Sequence, residues 1–285
     1  MKKLIILLGV LGVSCSAILV RLSQAPSMVL VFYRMLFASV ILLPWSIMAY
    51  RSEWKTLSRK TLLLSLLSGV FLGFHFTCYF SALRYTSIAS AVVLVDTEVF
   101  FVALAAPLLL DKRVSRRGWI GILLTFLGSV LIAAADANSG NGAGIGSALA
   151  LLGAFCMAVY TLIGAKVRRT CSTTVYTTLV YTAGTVTVGL LLLLSGTPVI
   201  GYAPRDYAAA LGLSLFCTLL GHSVFSWGLK YESPAYVSTV KLLEPVFATL
   251  LGLALFREIP TLPVILGGVI VIAGIAWYSA NSDSP

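Results

Sequence analysis

The stretch LRYTSIASAVVLVDTEVFFVAL, Leu83 to Leu104, returns later in the chain as LKYESPAYVSTVKLLEPVFATL, Leu229 to Leu250. A shift of 146 residues places Leu83, Tyr85, Ser87, Ala89, Glu98, Phe101 and Leu104 on Leu229, Tyr231, Ser233, Ala235, Glu244, Phe247 and Leu250 without a gap. The same shift carries Gly121 onto Gly267 and Gly128 onto Gly274, so the copy runs on into the next apolar segment. Self-similarity over such a length marks the duplication of one structural unit. The two units are assigned to residues 1–136 and 144–281, and the glycine-rich ANSGNGAGIG, Ala137 to Gly146, joins them. Each copy holds a carboxylate, Glu98 or Glu244, inside an otherwise apolar run.

Composition fixes the solvent. Of 285 residues, 59% are hydrophobic and 11% charged, too little polar surface to cover a globule in water. About 20 apolar residues span a bilayer as a helix. Ten such segments fit the chain: 3–21, 28–49, 61–82, 87–110, 117–134, 144–165, 173–195, 207–229, 235–256 and 261–280. The runs are continuous and do not alternate, which favours helices over a barrel, and lipid excludes unpaired backbone groups. The expected fold is an all-α membrane protein of ten transmembrane helices. MKKLIILLGVLGVSC, Met1 to Cys15, has the look of a secretory leader. However, Gly12, Cys15 and Ala17 recur 141 residues later as Gly153, Cys156 and Ala158, so residues 3–21 are read as a retained span. The five cysteines show no metal-ligand spacing and are read as packing residues, and no metal or other cofactor is expected.

The net charge of +10 is distributed by side of the membrane, not gathered into a nucleic-acid surface. Lys2, Lys3, Arg51, Lys55, Arg59, Lys60, Lys112, Arg113, Arg116, Arg117, Lys166, Arg168, Arg169 and Lys230 fall on one side, and only Arg21, Arg84, Arg205 and Arg257 on the other. Excess lysine and arginine marks the cytoplasmic face, which places both termini there. Because each copy has an odd number of spans, five, the second enters the membrane upside down relative to the first. Such inverted five-helix repeats suit a carrier that opens to either side in turn around a site near the midplane.

FYRMLFASVILLP in the second span, Phe32 to Pro44, is one of several segments that resemble the EamA-type carriers of the drug/metabolite transporter superfamily. The others are YTSIASAVVL, DKRVSRRGWIGILLTFLGSVLI, and the long GHSVFSWGLKYESPAYVSTVKLLEPVFATLLGLALFREIPT with its ordered His222, Trp227, Tyr231, Glu244, Pro245 and Glu258. The resemblance covers nearly the whole chain. It implies a ten-span secondary carrier of the cell membrane, here the bacterial inner membrane, exporting amino acids or other small metabolites. Val99 stands where the second copy has Pro245, and Asp111 or Lys112 where it has Glu258, so unequal contributions of the two halves are expected.

Charges at mid-bilayer cost roughly 2.5 to 3.5 kcal/mol on insertion scales and face protein or water. Arg34, His75, Asp96, Glu98, His222, Lys241 and Glu244 are the candidates. Lys241 and Glu244, three residues apart, share a helix face and are expected either to pair or to meet a substrate. Asp96 and Glu98 lie about 200° apart on a continuous helix, so Glu98 is assigned to the cavity and Asp96 to a neighbouring helix. Arg34 matches the FxR element of the resembled family. It can clamp a substrate carboxylate, or fasten the second span to Glu98 or Glu244 by a salt bridge. His75 and His222 stand one residue off the 146 register, and imidazoles titrate near neutral pH. Hydrogen bonding within the bundle is their other reading. Tyr79, one turn after His75, and Trp227, five residues after His222, are assigned to an aromatic lining. Trp45, Trp54, Trp119 and Trp277 suit the interfacial belt, and Gly69 with Gly73 forms a GxxxG packing pair.

No HExxH, GxSxG or Walker loop occurs, and the connections are too short for a catalytic domain. The expected partners are the lipid bilayer, a small metabolite and a coupled proton exchanged at Glu98 and Glu244, in a monomer or homodimer. A passive channel and a non-transporting membrane scaffold are the competing classes.

Overall fold

The computed structural model describes residues 2–109, 115–138, 142–228, 230–231, 241 and 243–281, and among these every regular element is helical. The first unit holds α1 (Lys2–Ser14), α2 (Ser16–Leu22), α3 (Ser27–Ala49), α4 (Arg51–Thr56), α5 (Arg59–Tyr85), α6 (Ile88–Val95), α7 (Glu98–Leu109) and α8 (Arg116–Asn138). The second holds α9 (Ala143–Val167), α10 (Thr173–Ser195), α11 (Pro204–Gly212), a π-helical segment (Leu213–His222), α12 (Ser223–Gly228), α13 (Leu243–Phe256) and α14 (Leu262–Asn281). Among the described residues, six helical runs are long and apolar enough to cross a membrane: α3, α5, residues Arg116–Ala135 of α8, α9, α10 and the run Pro204–Gly228. Serine caps open several of the helices. Ser58, Ser87 and Ser172 accept from the backbone N–H of Thr61, Ser90 and Val175 and so satisfy first-turn donors.

Two of the expected spans are not continuous helices. Residues 3–21 are interrupted at Cys15, where Ser14 Oγ donates back to the Val10 carbonyl at 2.8 Å. Residues 87–110 are interrupted at Asp96 and Thr97, where Thr97 Oγ1 donates to the Leu94 carbonyl at 2.6 Å and its N–H to the same oxygen at 3.2 Å. Short polar side chains that bond the preceding turn accompany both breaks. In the eighth span the ladder widens instead: Thr218 Oγ1 reaches back five residues to the Leu213 carbonyl at 3.1 Å. π-Helical turns are rare and frequently lie at functional sites.

Glycine governs how the units meet. α8 and α14 pack antiparallel, with Trp277 Nε1 donating to the Arg117 carbonyl and Ser115 Oγ to that of Asn281. A Cβ on Gly121 would strike the Gly274 carbonyl, and one on Gly274 the Gly121 carbonyl; Gly128 and Gly267 stand in the same relation. Exchanging each residue for its copy turns the first contact into the second, as in a two-fold interface. Ser39 Oγ likewise lies 3.4 Å from Thr185 Oγ1, and residue 185 is the copy of residue 39. Gly69 and Gly73 face α10 at Val180 and Gly184, as the GxxxG spacing predicts. Cys78, Cys156, Cys171 and Cys217 are free and buried among the packed helices, and Cys15 is half-buried.

Candidate functional site

A cavity of about 20 Å³ lies where the two units meet, room for a water molecule or two. Val13, Ser16, Arg34, His75, Phe76, Tyr79, Val95, Asp96, Glu98 and Met157 line it together with His222, Lys241 and Glu244. Seven of the eight residues assigned to the site from the sequence therefore converge. Two cationic side chains meet three carboxyls and two imidazoles, all 7% exposed or less.

Lys241 Nζ donates to Glu98 Oε1 at 2.7 Å, an ion pair that joins one copy to the other. The pairing expected between Lys241 and Glu244 on a single helix face gives way to this one, because Glu98 opens α7 directly opposite the lysine. Arg34 forms no ion pair among the described residues, so of its two readings the bridge to Glu98 or Glu244 is not made. Its Nε donates to Thr218 Oγ1 at 2.6 Å and its Nη1 to Ser16 Oγ at 3.4 Å, while the guanidinium lies 3.7 Å over the Phe76 ring. The π-helical segment supplies Thr218, so the unusual helix positions the arginine. His75 Nδ1 donates to the Gly153 carbonyl at 2.9 Å, and its ring stacks on Tyr79 at 6.2 Å and stands 6.3 Å from His222.

Asp96 also faces the cavity. The 200° separation from Glu98 applied to an unbroken helix, and the interruption at Asp96 and Thr97 removes it. Among the described residues, five lining atoms are buried without a hydrogen-bond partner: Arg34 Nη2, Tyr79 OH, Asp96 Oδ2, Glu98 Oε2 and His222 Nδ1. Buried polar atoms are nearly always paired in native proteins, so orphans gathered around one hollow point to an occupant. The cavity offers both donors and acceptors.

A family model described as the EamA-like transporter family matches residues 2–134 and again residues 144–280. The chain belongs to this family. An uncharacterized transporter of Archaeoglobus fulgidus is 30% identical over 262 residues, covering 88% of this chain and 87% of the relative. The pseudopaline exporter CntI of Pseudomonas aeruginosa is 23% identical over 249 residues, covering 87% of this chain and 84% of the relative. A solved crystal structure superposes with a TM-score of 0.70 at 18% identity, covering 99% of this chain and 97% of the other, and so shares the fold. EamA-like proteins are transporters, not enzymes. The chain is a multi-pass membrane protein that carries small molecules through a lipid bilayer.

Of the residues assigned to the site of this EamA-like transporter, Trp227 stands outside the lining. It packs with Val10, Val13 and Phe225, its ring 4.8 Å from that of Tyr231. Five residues past His222 is roughly 140° around a helix, a turn too far to reach the same hollow. Glu258 closes the loop between α13 and α14 against Arg21 at 3.0 Å and accepts from the Ile88 N–H at 2.9 Å. Asp111 and Lys112, and the repeat positions Leu229, Ser233 and Ala235, lie outside the described residues. Nothing in the sequence singles out Ser16 or Thr218; their contacts with Arg34, and for Ser16 its place in the lining, identify them.

Proposed function

We propose that this EamA-like transporter is a secondary active carrier that exports small metabolites of the amino-acid type by alternating access. Ten spans form two inverted repeats, residues 1–136 and 144–281, with both termini in the cytoplasm of a bacterial cell and the protein in its inner membrane. The closed cavity between the units carries the proposal. It holds ionisable groups from both copies with unpartnered atoms turned inward, yet has no room for a metabolite. Loading such a site requires the surrounding helices to part, and two like units of opposite orientation supply two equivalent ways of parting. The reciprocal glycine contacts of α8 and α14 support the inverted relation, and the double family match supports the division into repeats.

Arg34 and Tyr79 serve as donors to an anionic group of the solute, the carboxyls as acceptors for a cationic one, and His75 and His222 shape the space between them. Proton exchange at the buried carboxyls of the cavity supplies the coupling. A panel of solutes tested in proteoliposomes for saturable counterflow checks the assignment. Saturable exchange that depends on pH, and that Glu98→Gln or Glu244→Gln alters, is the expected result. A conductance that does not saturate, or transport identical in both variants, refutes it.

A further inference from the structure

Asp96 sits in the interruption between α6 and α7, 4% exposed, with Oδ2 unpartnered and turned into the cavity. The charged and titratable groups around the hollow are Glu98 on α7, Arg34 on α3, His75 and Tyr79 on α5, His222 on the π-helical segment, and Lys241 and Glu244 from the second unit. Neither cation bonds to Asp96 among the described residues. Lys241 is engaged by Glu98 at 2.7 Å, and Arg34 is held by Thr218, Ser16 and the face of Phe76. An ionised carboxylate with a bare oxygen in such a place is uncompensated, which proteins avoid.

What neutralises Asp96 must fit about 20 Å³, and a metabolite does not. A hard metal cation requires a shell of oxygen ligands. In this cavity it would stand beside Arg34 and Lys241. A proton needs no shell and almost no space. Building on the proton-exchange mechanism above, we infer that Asp96, not Glu98, carries the exchanged proton, held on Oδ2 while the cavity is closed and empty of solute. When the cavity opens and a solute enters, the O–H bond at Oδ2 breaks and its electron pair stays on the carboxylate. The proton passes to water on the open side, and the freed carboxylate accepts a positively charged group of the solute. One proton returns for each solute carried out, and Lys241 keeps Glu98 charged throughout.

Infrared spectroscopy of the purified protein in liposomes, without any solute, tests the assignment. The full chain is expected to show the C=O stretch of a protonated carboxyl, shifted down in D2O. Asp96→Asn abolishes the band, Asp96→Glu restores it at a displaced frequency, and Glu244→Gln leaves it in place. Absence of the band from the unmodified protein, or its persistence in Asp96→Asn with loss in Glu244→Gln, overturns the inference. Because the readout needs no solute, its failure is distinct from a failure to find transport in the counterflow panel.

Discussion

Lys241 and Glu98 each remove the other's charge from a dry interior, so neither can be lost alone without leaving an ion uncompensated. Lys241→Met is expected to destabilise the protein by about 3 to 5 kcal/mol, the usual penalty for breaking a buried pair from one side. The double variant Lys241→Met with Glu98→Gln should recover most of that loss, read as a coupling term from denaturant unfolding in detergent. Equal instability of single and double variants would assign the cost to packing instead. Arg34 makes a different demand, because its planar fork spans Ser16 and Thr218 while its face covers Phe76. A lysine cannot do both, and Arg34→Lys is expected to lower transport efficiency about tenfold or more, near 1.4 kcal/mol. Thr218→Val should give a similar loss and Thr218→Ser should not, as measured by initial counterflow rates. At this scale the sequence was legible wherever a charge stood alone in an apolar run. It could not choose partners, since Lys241 has Glu244 on its own helix face and Glu98 only in the folded protein.

Helices were legible to the extent that apolar length alone defines them. α3, α5, α9 and α10 fall close to the boundaries that hydropathy predicts. Breaks were not legible, because Asp96 and Thr97 lie within a continuous apolar run whose hydropathy does not mark the interruption. The Asp96 misassignment follows directly from that. Glycines carried more information: their recurrence at a fixed offset marked the duplication, and the structure shows that they set how closely α8 and α14 approach. A methyl at Gly128 would come within 2.7 Å of the Gly267 carbonyl, a backbone atom that cannot rotate away. Gly128→Ala is therefore expected to cost about 1 to 3 kcal/mol, the range for overpacking a dense contact. Gly268, whose nearest neighbour to an added Cβ is Val93 Cγ2 at 3.7 Å, is the control, and Gly268→Ala should fall within about 0.5 kcal/mol of the parent. Thermal unfolding in one detergent compares the pair.

For the whole molecule, the duplication read from sequence accounts for a shared hollow between like units but not for which way it is shut. The sparsely basic face is tied within the first unit and from it to the second. Arg84 donates to the Ser23 and Ala25 carbonyls, Ser23 Oγ and the Gln24 N–H donate to Asp206, and Arg21 bridges the Thr86 carbonyl and Glu258. Among these contacts the Arg21–Glu258 pair joins α2 to the loop before α14, and Glu258 also holds the start of α6, the helix that ends at Asp96. Opening towards this face must part those groups. The pair is 28% exposed on each side, so removing the charge loosens the closure without leaving a buried ion. Glu258→Gln should therefore shift the population towards a cavity open on this face. A cysteine placed at Tyr79, in a Cys15→Ser background, reports it through labelling by a membrane-impermeant maleimide. The remaining native thiols are buried, and burial together with the neighbouring Glu53 carboxylate pushes Cys171 up to about 12, so they stay silent. Severalfold faster labelling in Glu258→Gln than in the parent is expected from reagent added to this face. Equal rates would mean that the Arg21–Glu258 contact does not keep the cavity closed.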